Sequence, residues 1–199
     1  VERLVQYHRL LEQLRGGGRK VVSSQEIGEI LSLKASQVRK DLSYFGEIGK
    51  RGVGYSVESL HRHIDGILAA PERWSIGLAG VGKLGEALLG YQAFRKEKFH
   101  FSALFDTDKK KIGTTIRGIH CYSADDITEV IREKNISILM VSVPASGAPR
   151  VVEDALRAGT LKGILNFAPV SLTVPEEVLL VSVDISIELE KLFFYIKHK

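Results

Sequence analysis

The most specific chemistry in the chain lies in Gly80-Val81-Gly82-Lys83-Leu84-Gly85, a G-x-G-x-x-G run placed after an apolar segment and before a helical one. That pattern in that context holds a pyrophosphate. Gly80 would permit the tight turn, Gly82 would let phosphate approach the backbone, and Gly85 would let helix pack closely on strand, with the helix N-terminus facing the phosphates. Asp106 follows Gly85 by 21 residues and ends the next apolar run. A carboxylate there would accept hydrogen bonds from the adenosine ribose hydroxyls and repel a 2′-phosphate, which favours NAD or NADH over the phosphorylated dinucleotides. Lys109, Lys110 and Lys111 stand close by and pull the other way. A glycine turn without a ligand, or one holding an adenine ligand such as coenzyme A, is the competing reading.

Further candidates fall at the ends of later strands. Val143-Pro144-Ala145 and Asn166-Phe167-Ala168-Pro169 would sit on the edge where open α/β sheets bind ligands, and the Asn166 amide with small apolar neighbours could hold a nicotinamide. Prolines that merely end strands would look the same. A different chemistry occupies the first third. If Val38, Leu42 and Phe45 face a core, then Ser36, Gln37, Arg39, Lys40, Ser43 and Tyr44 face outward, as donors and cations suited to base edges and phosphates in a major groove. Lys50 and Arg51, at a hairpin tip, could reach adjacent phosphates or the minor groove. The charge distribution agrees: residues 1–70 hold eleven basic and eight acidic groups against 17 and 16 in residues 71–199, and residues 34–51 alone carry a net +3. A solvated charged face, or a winged helix used only for dimerisation, is the bland alternative.

The elements needed to position these groups are legible. Leu4, Val5, Leu11 and Leu14 recur at helical spacing until Gly16-Gly17-Gly18. Ser23 and Glu26 form a capping-box signature ahead of Ile27, Ile30 and Leu31. A third helix is expected over 35–45, then a glycine-punctuated hairpin over 46–57 and a helix to about residue 70. Three helices and a hairpin make a winged helix-turn-helix. Beyond Pro71 the pattern alternates: strand 75–79, helix 84–96, strand 99–106, a helix capped by Ser123 and Asp126, strand 136–143, helix 148–158, strands 163–167 and 178–184, and a closing helix 185–197. Such alternation implies an α/β, Rossmann-like, doubly wound parallel sheet. The expected division is a DNA-binding domain at 1–70, a dinucleotide-binding domain at 71–184 and a terminal helix at 185–199.

Composition excludes several classes. With 44% hydrophobic residues and 26% charged, the chain can bury a core, and no apolar run approaches the ~20 residues of a membrane helix. There is no signal-peptide layout, and the single Cys121 cannot form an internal disulfide, so a cytoplasmic protein with an inert thiol is expected. The first residue is Val, so a short N-terminal stretch is expected to precede it. An NAD-dependent oxidoreductase would need an acid or base near the nicotinamide, but His100, His120 and His198 form no recognisable constellation, and no metal-ligand spacing is present.

Taken together, Ala35-Ser36-Gln37-Val38-Arg39-Lys40-Asp41-Leu42-Ser43-Tyr44-Phe45-Gly46 and Gly49-Lys50-Arg51-Gly52-Val53-Gly54-Tyr55 resemble the recognition helix and wing of the Rex redox-sensing transcriptional repressors. The resemblance continues through Gly80–Gly85, Phe105-Asp106, Val143-Pro144, Gly163–Pro169 and Val183-Asp184, nearly the whole chain. It implies a homodimer that binds an inverted-repeat operator and represses genes of respiration and fermentation until NADH replaces NAD. It also implies that helix 185–197 is swapped between subunits. Arg9 resembles the family's N-terminal arginine that pairs with an aspartate before that helix, here Asp184, and Tyr91 resembles its tyrosine near the nicotinamide. Lys83 stands where many members carry asparagine.

Overall fold

The computed structural model describes residues 1–44, 46, 49–50, 52–69, 73–91 and 99–198, apart from the side chain of Lys50. The chain forms two compact units, Val1–Ala69 and Ala70–Lys199. Pro71, the expected boundary, lies outside the described residues.

The first unit runs α1 (Glu2–Gly16), β1 (Val21–Val22), α2 (Ser24–Leu31), α3 (Ala35–Ser43), β2 (Gly49–Lys50), β3 (Gly54–Ser56) and α4 (Val57–Leu68). Helix α1 buries Leu4, Tyr7, Leu10 and Leu11, a stripe at three- and four-residue spacing, against Ile27, Val38, Leu42, Leu60 and Ile64. The capping box forms as expected: Ser23 Oγ accepts from the Glu26 N–H at 3.0 Å, and Glu26 Oε2 accepts from the Ser23 N–H at 2.8 Å. Ser32, in the left-handed region at φ 55°, ends α2 and turns the chain into α3. Helix α3 stops at Ser43 with Tyr44 as its C-cap, short of the expected end at Phe45, which lies outside the described residues. The wing has three strands, ordered β1-β3-β2 and antiparallel, because Val21 and Val22 pair with Ser56 and Tyr55. Two residues carry no periodicity, and β1 was not expected.

The second unit runs β4 (Trp74–Ala79), α5 (Lys83–Gly90), β5 (Phe99–Asp106), β6 (Thr115–Ile116), β7 (Ile119–Ser123), α6 (Ile127–Glu133), β8 (Ile138–Val141), α7 (Ala148–Leu156), β9 (Gly163–Asn166), β10 (Leu179–Ser182) and α8 (Ile185–Lys197). The strands form one sheet ordered β10-β9-β8-β4-β5-β7-β6, parallel except for the β6–β7 hairpin. Alternation along the strands separates two cores. Ala103, Phe105, Leu139 and Val141 pack under α6 and α7, whereas Leu104, Met140, Leu78 and Cys121 point to the opposite face with Leu89 of α5. Burial pushes the Cys121 thiol up, as an inert core cysteine requires.

Two expectations differ in the structure, and one hairpin was not anticipated. Helix α5 ends at Gly90, with Tyr91 as C-cap, rather than running to 96; residues 92–98 lie outside the described set. Asp126 makes no capping hydrogen bond; instead Ser123 Oγ accepts from the Asp125 N–H at 3.2 Å and caps a 3-10 turn ahead of α6. The β6–β7 hairpin was missed, because its turn uses Arg117 and Gly118 at φ 52° and 85° rather than an Asn-Gly pair.

Candidate dinucleotide and DNA sites

Strand register brings the candidate dinucleotide-site residues to one edge of the sheet. Ala79 pairs with Phe105 on one side and Val141 on the other, and Val141 pairs with Asn166. The next residues along the chain, Gly80, Asp106, Ser142 and Phe167, therefore share the carboxyl edge of the sheet, beside the first strand, where connections leave to opposite sides. Gly80 has φ +89°, and a Cβ there would lie 2.8 Å from the Ser142 carbonyl. A Cβ on Gly85 would overlap the Gly80 carbonyl oxygen, so helix and loop touch through bare backbone. At Gly82 nothing lies within 4 Å of a built Cβ, and as the N-cap of α5 it supplies no side-chain cap. That is the open approach a pyrophosphate needs. Val81 is buried, while Lys83 and Leu84 are exposed at the start of α5.

Asp106 stands at the lip of this loop. Its Oδ2 accepts from the Val81 N–H at 2.9 Å and its Oδ1 from the Asp108 N–H at 2.9 Å. Lys111 Nζ lies 3.4 Å from Oδ2 and donates to the Val81 carbonyl at 2.8 Å. Burial pushes the Asp106 carboxyl up, but the Asp108 and Val81 N–H groups, helped by Lys111, outweigh it and leave a net lowering. The carboxylate thus stays ionised through neutrality, and its contribution is lost only as pH falls through its depressed folded value. Lys111 and Ser142 were not singled out as site residues. Ser142 Oγ donates to the Gly80 carbonyl at 2.7 Å, a contact between residues 62 apart. Replacing Asp106 with alanine is expected to weaken NADH binding by about tenfold to a hundredfold, the worth of a lost charged hydrogen bond, in a fluorescence titration.

Val143 flanks Gly80, and Pro144 and Pro169 are exposed at the same edge, with Ala168 buried. Asn166 departs from expectation. Its side chain is 1% exposed, its Nδ2 donates to the Ala168 and Val170 carbonyls at 3.0 Å each, and its Oδ1 accepts from the Ala168 N–H at 2.9 Å. Both amide hydrogens are committed, so Asn166 shapes the Asn-Phe-Ala-Pro loop rather than offering a free amide to a nicotinamide.

In the first unit, Ser36, Arg39, Lys40, Ser43 and Tyr44 are exposed along one face of α3, and Gln37 is half-buried. Arg39 donates to Ser24 Oγ at 3.2 Å, tying α3 to the start of α2, and Ser43 Oγ donates to the Lys40 carbonyl at 2.9 Å. Arg51 and the Lys50 side chain lie outside the described residues.

A curated protein of Desulfitobacterium hafniense named "Redox-sensing transcriptional repressor Rex" is 44% identical over 96% of this chain and 91% of its own length. The chain belongs to the Rex family of redox-sensing transcriptional repressors. A second Rex relative, from Carboxydothermus hydrogenoformans, is 43% identical over 99% of this chain and 94% of its own. A solved structure described as RSP in complex with beta-NAD+ and operator DNA is 33% identical and superposes with a TM-score of 0.90, covering 99% of this chain and 90% of that one. RSP with beta-NADH gives 0.88 at 32% identity over 99% and 92%. Residues 1–43 match the family described as "Putative DNA-binding protein N-terminus", and residues 71–170 match that described as CoA binding domain.

In this Rex-family chain the three proposed switch residues stand apart in sequence. Arg9 is exposed on α1, in the first unit. Tyr91 is exposed at the end of α5. Asp184 caps α8, its Oδ1 accepting from the Ser186 N–H at 2.9 Å and the Ser186 hydroxyl at 2.6 Å, which lower its pKa. Every residue from Ile185 to His198 is exposed, including Ile187, Leu189, Leu192, Phe193, Phe194 and Ile196. Among the described residues, no helix is long and apolar enough to cross a membrane, and no cluster of three metal-ligating side chains occurs.

Proposed function

We propose that this chain is a cytoplasmic redox-sensing repressor. It binds an inverted-repeat operator as a homodimer and leaves the operator when NADH replaces NAD, controlling respiratory and fermentation genes. The observation that carries this reading is the likeness to RSP with NAD+ and operator DNA, which spans both units. The relatives are named as repressors, not enzymes. The match to the CoA binding description covers the sheet unit alone, and the Asp106 carboxylate at the lip of the glycine loop favours a ribose diol.

Gly80, Gly82 and the first turn of α5 hold the pyrophosphate, Asp106 takes the adenosine ribose, and Val143, Pro144, Ala168 and Pro169 form the nicotinamide end, with Tyr91 nearby. When bound, the dinucleotide supplies a ring that is cationic when oxidised and neutral when reduced. Apolar groups around it admit the neutral ring at lower desolvation cost. The chain converts that difference through Arg9, Tyr91 and Asp184, whose regrouping changes the spacing of two α3 helices that must enter major grooves about one turn, ~34–36 Å, apart. Helix α8 supplies the dimer contact by swapping: a wholly exposed amphipathic-to-apolar helix needs cover. Deleting residues 185–199 is expected to turn a dimer into monomers and abolish tight operator binding, read by light scattering and gel shift.

An oxidoreductase is disfavoured by the position of His100. It is the second residue of β5, near the amino edge, and Asp106 ends that strand. At ~3.3 Å per residue the two edges are about 20 Å apart. Fluorescence anisotropy of a labelled operator duplex tests the proposal: NADH should release the protein while equal NAD leaves it bound, and indifference to both would refute redox sensing.

A further inference from the structure

Asp41 is oddly placed for a helix that meets DNA. It lies in the last turn of α3, where the helix dipole already disfavours an anion, between Arg39 and Lys40 on one side and Ser43 on the other. A negative charge on a phosphate-facing helix weakens attraction to nucleic acid. The contacts give it another task. Arg3 of α1 grips both carboxylate oxygens, Nε to Oδ2 at 2.5 Å and Nη2 to Oδ1 at 3.0 Å. The Tyr7 hydroxyl, on a side chain 1% exposed, donates to Oδ2 at 2.8 Å. Gln37, one turn earlier on α3, donates its amide to Oδ1 at 2.7 Å.

We infer that Asp41 is a positioning residue for sequence reading, which touches no base itself but sets the seat of α3 on α1 and the orientation of the Gln37 amide. A fork from Arg3 and a buried tyrosine hydroxyl fix the helix in both rotation and slide, which a single exposed ion pair does not. A carboxylate accepts only from the NH₂ side of an amide, so Asp41 decides which way Gln37 faces. The second N–H and the carbonyl oxygen then stand in a fixed order, the arrangement by which glutamine recognises adenine. The Arg3 guanidinium, with the Tyr7 hydroxyl and the Gln37 amide, overcomes burial and holds the Asp41 carboxyl at about 2, so this latch is closed at every physiological pH.

The inference rests on α3 reading DNA, and it predicts a sign that simple electrostatics does not. Asp41→Asn removes a negative charge and should tighten non-specific binding. If Asp41 positions Gln37, affinity for the duplex that the wild-type protein selects from a randomised library should instead fall about tenfold or more, while a scrambled duplex binds as well as before or better. Tyr7→Phe, which removes one of the latch's donors, should give an intermediate loss of discrimination. Gln37→Ala should add little in the Asp41→Asn background, because residues acting as one unit are not additive. Thermal melting of each variant separates positioning from collapse: parallel loss of both affinities with a lowered midpoint would overturn the inference, as would a gain for both duplexes. If the wild-type protein selects no sequence at all, the reading of α3 itself fails. If it selects one and Asp41→Asn keeps the preference, only the inference fails.

Discussion

Gly85→Ala is expected to abolish detectable NADH binding at concentrations that saturate the parent. The added Cβ would overlap the Gly80 carbonyl oxygen and come within 3.2 Å of Ser142 Oγ, and the first of these is rigid backbone. Helix α5 must therefore withdraw from the Gly80–Gly82 loop, the loop proposed to face the phosphates. Overpacking of this kind costs roughly 1–3 kcal/mol or more even where side chains can yield. The same withdrawal breaks the Ser142–Gly80 bond and shifts Val81, which donates to Asp106. Loss of affinity of about a hundredfold or more is expected by fluorescence titration. Gly82→Ala is the control. Its Cβ meets nothing in the protein, so the fold and melting temperature should survive while the methyl occupies the approach of the pyrophosphate. Two variants that both lose NADH, one with a lowered melting temperature and one without, would distinguish a broken loop from a blocked one.

Arg39→Ala combined with Lys40→Ala removes two exposed cations from one face of α3 and should weaken operator binding about a hundredfold while NADH affinity is unchanged. The salt dependence is the more telling readout. Each lost phosphate contact lowers the slope of log affinity against log salt by about one, so the double variant should lose about two. A fall in affinity with an unaltered slope would place these residues on base edges. Unchanged affinity would remove α3 from the interface.

The parts of both sites that depend on backbone were legible in the sequence. Glycines at 80 and 85 are required by geometry, and a capping box declares a helix start. What escaped notice depends on partners far along the chain. Ser142 reaches Gly80 only because β8 and β4 are neighbours, and Lys111 matters only because its loop folds back to Val81. At Asn166 an amide beside a ligand edge has the same sequence signature whether its hydrogens are free or, as here, donated to the Ala168 and Val170 carbonyls. Asp41 was counted as one acidic residue within a basic strip. Its role emerges only when α1 brings Arg3 and Tyr7 to α3 across more than thirty residues.

In the proposed function, reduction of the dinucleotide and release of DNA are one linked equilibrium. A swing from mostly bound to mostly free requires a differential affinity of several kcal/mol, near ~5.5 for a change from 1:99 to 99:1. Linkage then requires operator DNA to weaken NADH binding by the same factor by which NADH weakens DNA binding. Calorimetric titration of NADH into the protein, alone and saturated with its operator duplex, measures this directly. Markedly weaker NADH binding is expected in the presence of operator; equal affinity in the two titrations would contradict the linkage.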